Sequence, residues 1–398
     1  MTTAPPGAPL PWSDLARVGA ATLGIFVAFG CLMPVLPLWA EGKLGNFTDV
    51  GLVVTLAVGV GLVLGRPIAA RLMEGRARAP TLIIGTLVCS ASSLVFPFVS
   101  GLWPILILRT LQGIGFGLVT TAGVSLITDL APPERRGQVL GYYGASNAIS
   151  LILGPALGAW SARTWSADAA FWLAGTLGLL PLLALMGLNE SKKAFVAGRL
   201  RLMEAFGLPG LKPLVLAHFF TLMVHGAQLT YLPAHLEGHA GWMTAELFYM
   251  IDGAALILLR VAAGRRFDSL GRGVFIFGGS VCIIAASLLL ALGEGDGAWS
   301  LAALFYGLGF GAYVPASSAL VGDVVPESHR ARGFAFFMLA FDLSLACGGA
   351  AFGPLADARG PAWALAAASG CTMVGLVIYV LIRKTVNTTA RPVALPRS

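Results

Sequence analysis

The chain has 398 residues, of which 57% are hydrophobic and only 11% are charged, and its formal net charge is +7. Soluble domains carry about 25% charged residues, so this composition excludes an ordinary soluble globule. Many apolar runs are long enough to cross a hydrocarbon core of about 30 Å as helices, and the chain is therefore predicted to be an all-α polytopic membrane protein.

Turn and charge signals divide the apolar sequence into 12 predicted transmembrane helices. In chain order they cover residues 15–39, 47–70, 80–100, 103–127, 137–160, 168–188, 211–234, 244–264, 273–293, 298–322, 332–356 and 361–383. The longest polar stretch, 189–210, is a predicted central loop that separates a six-helix half, 15–188, from a second one, 211–384. Residues 1–14 form a tail without signal-peptide features, and residues 385–398 form a polar tail predicted to be disordered.

Positive charge sets the expected orientation. Most of the 26 Lys and Arg residues fall on one side of this map, and in the loops on the other side only Lys43, Arg163 and Arg359 occur. The positive-inside rule then places both termini in the cytoplasm, and the basic balance needs no nucleic-acid partner. The five cysteines lie apart within apolar runs, so neither a metal site nor a disulfide framework is predicted.

The two predicted halves repeat one another at a nearly constant offset. GIGFG at 113–117 returns as GLGFG at 307–311, and GPALG at 154–158 resembles GPLAD at 353–357. Charged residues repeat in the same way: Arg66 with Arg260, Glu74 with Asp268, Arg78 with Arg272, and Asp129 with Asp323.

Five short phrases lie on the spans and loops where one protein family carries its motifs. GRRFDSLGRG, from Gly264 through Asp268 and Gly271 to Arg272, fits G-x-x-x-D-x-x-G-R-R/K, and ARLMEGRARA at 70–79 is a poorer copy. RTLQGIGFG at 109–117 fits R-x-x-Q-G, PVLPLW at 34–39 fits P-x-x-P, and GYYGASNAISLILGPALGA at 141–159 approaches the antiporter motif of span 5. Together they resemble the major facilitator superfamily, and within it the 12-span drug and sugar efflux branch of proton antiporters.

The resemblance implies two pseudo-symmetric six-helix halves with a substrate site between them near the midplane. One chain then contains a complete pathway, so function as a monomer is expected. The resemblance also implies that the charged loops act as a conformational latch. Asp268 and Arg272 would pair with Asp323, and Glu74 and Arg78 with Asp129. A plain topology signal is the alternative, and the alanine-bearing first copy is expected to be the weaker latch.

Charged residues at membrane depth are functional candidates by default. Asp342 in span 11 is a candidate for carrying the coupling proton or facing the substrate, and the alternative is a neutral acid hydrogen-bonded between helices. Asp252 in span 8 is a candidate for coupling or for binding a cation, and the alternative is a wet residue at the rim of the cavity. Arg109 begins the span-4 motif and has Gln112 one turn away, and the resemblance links this arginine to the cavity and to proton coupling. Arg66 and Arg260 could contact an anion or anchor their helices at the membrane surface.

Span 7 adds further polar residues. His218 and His225 are seven residues apart and so share a face of one helix. Cavity polarity, with His225, Gln228 and Asn147 of span 5 as contacts, competes with a proton relay.

Small residues at spacings of four predict close helix packing, and a proline predicts a hinge. They are Gly113, Gly117, Gly154, Pro155, Gly158, Gly307 and Gly311. A phosphate-binding G-x-x-x-x-G-K-S/T phrase does not occur in the sequence, so direct drive by ATP is not expected.

These features predict a secondary active transporter without cofactor or metal, whose partners are a small-molecule substrate, protons and the lipid bilayer. The first hypothesis is proton-coupled efflux of a drug, sugar or metabolite across a bacterial inner membrane. The alternative is a proton-coupled importer of a sugar or organic anion. A receptor without transport is disfavoured, because the repeated halves and the cavity acids would then have no role. A membrane enzyme is disfavoured because the sequence offers no evident nucleophile, metal cluster or soluble catalytic domain.

Overall fold

The computed structural model describes residues 10–74, 76–132, 135–186, 188, 210–263, 271–326 and 329–389. Throughout these residues the regular structure is helical, as the composition predicts. Ten of the described helices are long and apolar enough to cross a membrane. The other two predicted spans, 137–160 and 244–264, are also occupied by helices.

The helices of the first half begin with α1 (Trp12–Cys31), α2 (Leu36–Leu44) and α3 (Phe47–Gly51), followed by a π-helical segment (Leu52–Ala57) and α4 (Val58–Met73). Next come α5 (Ala79–Val95), a 3₁₀ turn (Phe96–Phe98), α6 (Leu102–Leu130), α7 (Arg136–Thr164), α8 (Ala167–Leu179) and α9 (Pro181–Leu185).

The second half contains α10 (Leu211–Leu236), α11 (Ala245–Ala263), α12 (Arg272–Leu292), α13 (Gly295–Val324), α14 (Arg330–Ala350), α15 (Gly353–Arg359) and α16 (Pro361–Thr389).

The prediction of one continuous helix over 15–39 is wrong. Helix α1 ends at Cys31, and a turn separates it from α2, which begins at Leu36. Pro34 and Pro37 explain the break, because proline has no backbone N–H to donate and its ring clashes with the preceding turn. The predicted span 332–356 is likewise interrupted, at Ala351 and Phe352.

The chain forms two compact units. The first comprises Met1–Gly198 together with Ala245–Gly253, and the second comprises Arg199–Thr244 and Ala254–Ser398. In the first unit α6 packs against α4 and α5, and α1 packs against α7 and α8. In the second unit α12 packs against α13, and α10 packs against α14 and α16.

Glycines bring α4 and α6 together in the first unit. A Cβ atom on Gly113 would lie 2.4 Å from the carbonyl oxygen of Val58, and one on Gly117 would lie 3.2 Å from the Cα of Gly65. The backbones therefore meet where larger side chains could not fit.

Helices α1 and α7 cross equally closely. A Cβ on Gly154 would lie 2.7 Å from the Cα of Gly30, and one on Gly158 would lie 1.9 Å from the carbonyl oxygen of Cys31. Pro155 lies between these two glycines inside α7. In the second unit Gly307 and Gly311 are buried in α13, and a Cβ on Gly311 would lie 3.2 Å from the Cα of Leu256.

Candidate functional site

The most elaborate buried polar site of the first unit is built around Arg109 on α6. Its side chain is only 4% exposed. One terminal nitrogen, Nη1, donates a hydrogen bond to Gln112 Oε1, and the other, Nη2, donates to the carbonyl oxygen of Val54 at 3.2 Å. The guanidinium carbon lies 4.9 Å from the centroid of the Phe29 ring, which adds a cation–π contact.

The hydrogen bonds continue away from Arg109 in one direction. Gln112 Nε2 donates to Ser93 Oγ at 2.7 Å, and Ser93 Oγ donates to the carbonyl oxygen of Cys89 at 3.2 Å. Each group is thus a donor to the next one, and such a chain polarises in a single sense. Helix α6 supplies Arg109 and Gln112 one turn apart, while α5 supplies the last two members.

The π-helical segment explains how the Val54 carbonyl takes part. Val54 lies inside Leu52–Ala57, where the backbone departs from the α-helical register. Short π-helical stretches occur mostly as insertions in α-helices, often at functional sites. The carbonyl that accepts the hydrogen bond from Arg109 therefore lies within the π-helical segment.

Charge is not balanced locally at Arg109. Within the described residues no carboxylate forms an ion pair with it, and its Nε atom is buried without a hydrogen-bond partner. An uncompensated buried charge costs several kcal/mol, so roughly that much must be supplied by dipoles, rings or an incoming anionic group.

Aromatic side chains adjoin this site. The Phe29 ring stacks on Phe116 with centroids 4.4 Å apart, and Phe26 meets Phe116 edge-on at 5.0 Å. All three are partly exposed. The arginine therefore lies against an apolar, planar surface that could contact a hydrophobic or aromatic ligand.

The second unit has a different polar arrangement on α10. His225 Nδ1 lies 2.9 Å from the hydroxyl oxygen of Tyr306 on α13, and its ring lies 4.9 Å from that of Phe310. One turn further along α10, Gln228 is 2% exposed, and neither atom of its amide has a hydrogen-bond partner among the described residues. These groups can offer hydrogen bonds without a fixed charge.

The two predicted acids differ in their surroundings. Asp342 on α14 is 1% exposed. Asp252 on α11 is half-buried, and its Oδ1 atom is shielded from solvent with no hydrogen-bond partner in the part of the chain described. Arg260, on the same helix as Asp252, is also half-buried and has an unpaired Nε, and no ion pair joins the two. Arg66 on α4 is half-buried.

Both repeated basic residues contact the expected aspartates. Arg78 Nε lies 2.7 Å from a carboxylate oxygen of Asp129, and Arg272 Nη1 lies 2.6 Å from one of Asp323. The Arg78 side chain is 4% exposed, whereas that of Arg272 is 30% exposed. The first pair is thus the more buried one, which does not favour the expectation of a weaker first latch.

Two other members of the predicted latch can be located among the described residues. Glu74 is exposed and forms no ion pair with any described residue. Gly271 precedes α12 with a φ of 83°, a conformation that favours glycine. Gly264 and Asp268 lie outside the described residues, and so does the side chain of Asn147 in α7.

Several partners were not predicted from the sequence. Ser93 and the Val54 carbonyl complete the Arg109 site, and Tyr306 completes the His225 pair. The two serines at 92–93 were the available signal for the Ser93 contact, but the direction in which Ser93 points from α5 depends on packing. Among the described residues, His, Cys, Asp and Glu form no cluster that could hold a metal ion.

Comparisons with known proteins agree on a family. The model of the Major Facilitator Superfamily matches residues 18–312. An uncharacterized MFS-type transporter, YwfA of Bacillus subtilis (strain 168), is 26% identical over 390 residues, which cover 92% of this chain and 91% of the relative. The quinolone resistance protein NorA of Staphylococcus aureus is 26% identical over 175 residues, which cover 44% of this chain and 45% of NorA.

Solved structures share the fold. A bacterial homolog of the human lysosomal transporter Spinster, in an inward-facing and occupied conformation, has a TM-score of 0.77 at 16% identity and covers 98% of this chain and 100% of its own. The nucleoside transporter NupG has a TM-score of 0.78 at 12% identity and covers 93% of this chain and 99% of its own.

Proposed function

The chain belongs to the major facilitator superfamily and is a multi-pass membrane transporter, and we propose that it exports a small molecule in exchange for protons. It would work by alternating access in a bacterial inner membrane, with both termini in the cytoplasm. Proton entry down its gradient would supply the free energy, since no nucleotide-binding phrase occurs in the sequence.

The observation that carries this proposal is the buried Arg109 site. Arg109 is a buried cation held by Gln112, Val54 and Phe29, with no carboxylate paired to it among the described residues. Burying such a charge lowers the stability of the fold, so we infer that the arginine has a role in the transport cycle. We assign Arg109 the role of a fixed charge that responds to the arrival of an anionic or protonatable group.

The buried acids supply the other half of the coupling. A carboxylate that is sealed from water is costly while ionised, so binding a proton favours the sealed state and losing it favours the open one. Asp342 is the first candidate and Asp252 the second.

Export, rather than import, is supported by two findings. The P-x-x-P phrase at 34–37 and the glycine pattern of α7 resemble the antiporter branch, and NorA, a protein named for quinolone resistance, matches about half of its length to this chain. The latch pairs Arg78–Asp129 and Arg272–Asp323 would stabilise one of the two access states.

A proton-coupled importer of a sugar or organic anion is the second candidate. It is favoured by the unpaired guanidinium nitrogens of Arg109 and Arg260, which could receive an anionic substrate group.

The test compares growth of a pump-deficient host on a panel of quinolones, cationic dyes and sugar analogues. Wild type, Asp342→Asn, Asp252→Asn and empty vector are compared at matched membrane expression. Arg17→Gln, at a partly buried ion pair of α1, serves as the charge-removal control.

Resistance conferred by the wild type and the control, but lost in an acid variant, supports export and identifies the coupling acid. Sensitisation by the wild type points to uptake instead. For any compound exported, an everted-vesicle assay must show that collapse of the pH gradient stops the flux; flux that persists contradicts proton coupling.

A further inference from the structure

His218 differs from the other histidines of α10. Its side chain is 0% exposed, and neither ring nitrogen has a hydrogen-bond partner among the described residues. His225 contacts the hydroxyl of Tyr306, and His235 Nε2 lies 2.8 Å from the carbonyl oxygen of Leu290. Only His218, of these three, keeps a polar ring buried with nothing bound to it.

Aromatic rings enclose the imidazole. The Phe337 centroid lies 3.8 Å from that of His218, with the planes at 30°, and the Tyr313 ring stacks on it at 5.7 Å with the planes at 11°. Phe341 lies at 6.3 Å. We call these three rings the His218 box; Tyr313 belongs to α13, and the two phenylalanines belong to α14.

A histidine is a costly choice for this position. Leaving a buried polar group without partners costs about 1–3 kcal/mol, and a phenylalanine would fill an aromatic box without that cost. Protonation inside the packed box would add a buried charge and is more expensive still. Once water enters, the ring faces can stabilise an imidazolium, so the box favours protonation when it is open and opposes it when it is closed.

The contact between α10 and α14 is tight at one end. A Cβ on Gly226 would lie 2.3 Å from the carbonyl oxygen of Leu345, and one on Gly348 would lie 1.9 Å from that of Met223. This close backbone contact can act as a pivot.

At the level of His218, an open apolar groove of about 200 Å³ runs along the same helix pair, and its lining includes Leu216, Phe219, Phe336, Leu339 and Leu343. Phe336 and Leu339 flank the box residue Phe337 in sequence, but the box residues themselves do not line the groove. On the groove side of the pair, a tilt of α14 about the glycine contact would therefore meet few packed side chains.

We propose that His218 is a proton-binding position whose protonation is coupled to separation of α14 from α10. A proton passes from water to a ring nitrogen when the box opens, and it returns to water before the rings repack. The inference deepens the proposed proton coupling by adding a second carrier to the buried acids, although its test does not require transport.

Other titratable groups occur on every helix packed against α10. They include Tyr313 on α13, Arg332 and Asp342 on α14, and Tyr379 and Arg383 on α16, together with Lys212, His225, Tyr231 and His235 on α10 itself. Asp342 follows the box residue Phe341 directly and is the main rival for any response to pH.

Hydrogen–deuterium exchange of the full chain in lipid nanodiscs tests the proposal. Labelling at pH 5.5 and 7.5, with times corrected for intrinsic exchange, compares wild type, His218→Phe, His218→Asn, Asp342→Asn and the control His239→Gln. His239 is exposed and lies beside Trp299, away from the box residues in sequence. An open imidazole that titrates near pH 6.5 makes opening about tenfold more frequent at pH 5.5 than at pH 7.5.

The expected result is a roughly tenfold acceleration in residues 334–345 in the wild type and in the control, but not in either His218 variant. Exchange in α12 should not change with pH. If His218 had only a structural role, its protonation would destabilise the whole unit, and exchange in α12 would accelerate as well. An unresponsive wild type, an equal response in His218→Phe, or loss of the response in Asp342→Asn with retention in His218→Phe overturns the proposal. Each of these results leaves the export assay, and hence the proposed function, to be decided separately.

Discussion

Replacement of Arg109 by methionine separates a structural role from a role in transport. The change removes a buried cation that has no ion-pair partner among the described residues, and burying a charge costs several kcal/mol. It also leaves Gln112 Oε1 without its donor, at a cost of about 1–3 kcal/mol. These two contributions oppose each other, so Arg109→Met is expected to change the thermal midpoint of the purified protein little.

The double variant Arg109→Met, Gln112→Leu sharpens the comparison. Removing both partners of the Arg109–Gln112 contact is close to neutral, or stabilising, although the Val54 carbonyl and Ser93 Oγ each lose a donor, so this variant should be about as stable as the wild type. Its export should nevertheless be lost.

Arg109→Lys keeps the charge but loses the planar fork. An ammonium can reach one of the two acceptors, so it forfeits one charged hydrogen bond, about 1.5–3 kcal/mol, and the ring contact, about 0.5–2 kcal/mol. Because about 1.4 kcal/mol corresponds to a factor of ten in rate, a loss of about 2–5 kcal/mol predicts export that is slower by about 30-fold to a few thousandfold.

The assay is initial efflux from everted vesicles, with a compound to which the wild type confers resistance, and with thermal unfolding measured on the same preparations. Arg17→Lys makes the same substitution at the partly buried Arg17–Asp14 pair, outside the Arg109 site, and should change neither quantity appreciably. Export within threefold of the wild type in Arg109→Met would refute the reasoning, and so would a large fall in stability for the double variant.

Three further predictions concern packing, the charged loops and the polar pair of the second unit. Gly158→Ala should greatly reduce the yield of monodisperse protein, because its Cβ would lie 1.9 Å from a carbonyl oxygen, whereas Gly144→Ala on the same helix has no atom within 4 Å and should be stable or slightly stabilised; equal yields would contradict this. Double-mutant cycles on thermal stability should give a coupling energy above about 1 kcal/mol for Arg78 with its aspartate, and below it for the more exposed Arg272 pair; the reverse order would contradict the burial argument. Tyr306→Phe removes the partner of a half-buried imidazole and should cost about 1 kcal/mol of unfolding free energy, measured by denaturant titration, and a more stable variant would show that the contact is not made.

The helical architecture follows from the sequence because the membrane imposes a strong rule: backbone polar groups must be satisfied within each span. The predicted span 103–127 corresponds to α6 at Leu102–Leu130, and 137–160 to α7 at Arg136–Thr164. Errors arise where proline overrides hydropathy. A window average over 15–39 is insensitive to two prolines, but the backbone is not, and the helix is divided between Cys31 and Leu36.

The candidate site is less predictable because its partners meet through tertiary packing. Arg109 and Gln112 lie one turn apart on α6, so their contact could be foreseen from spacing. The Ser93 contact depends on the rotation of α5 relative to α6. The Val54 contact depends on a π-helical register that propensity does not encode. For His218, spacing predicts the helix face that it shares with His225 but not the three rings that come from two other helices.

The two halves repeat their scaffold but not their interior chemistry. Gly113 and Gly117 return as Gly307 and Gly311, and the ion pair of Arg78 has its counterpart at Arg272. At the offset that relates these glycines, however, alanine and tyrosine stand at 303 and 306 where the first half has arginine and glutamine.

If the polar side chains inside the two units were the same, both units would respond identically to a proton or a substrate. Binding could then not favour one conformation through a difference in chemistry between the units. Under the proposed function, the fixed cation at Arg109 in the first unit and the titratable groups of the second unit would provide the differential interaction that a change of state requires. Variants that alter the repeated glycines should therefore impair folding, whereas variants of Arg109 and of the second unit's titratable groups should impair coupling in a correctly folded protein.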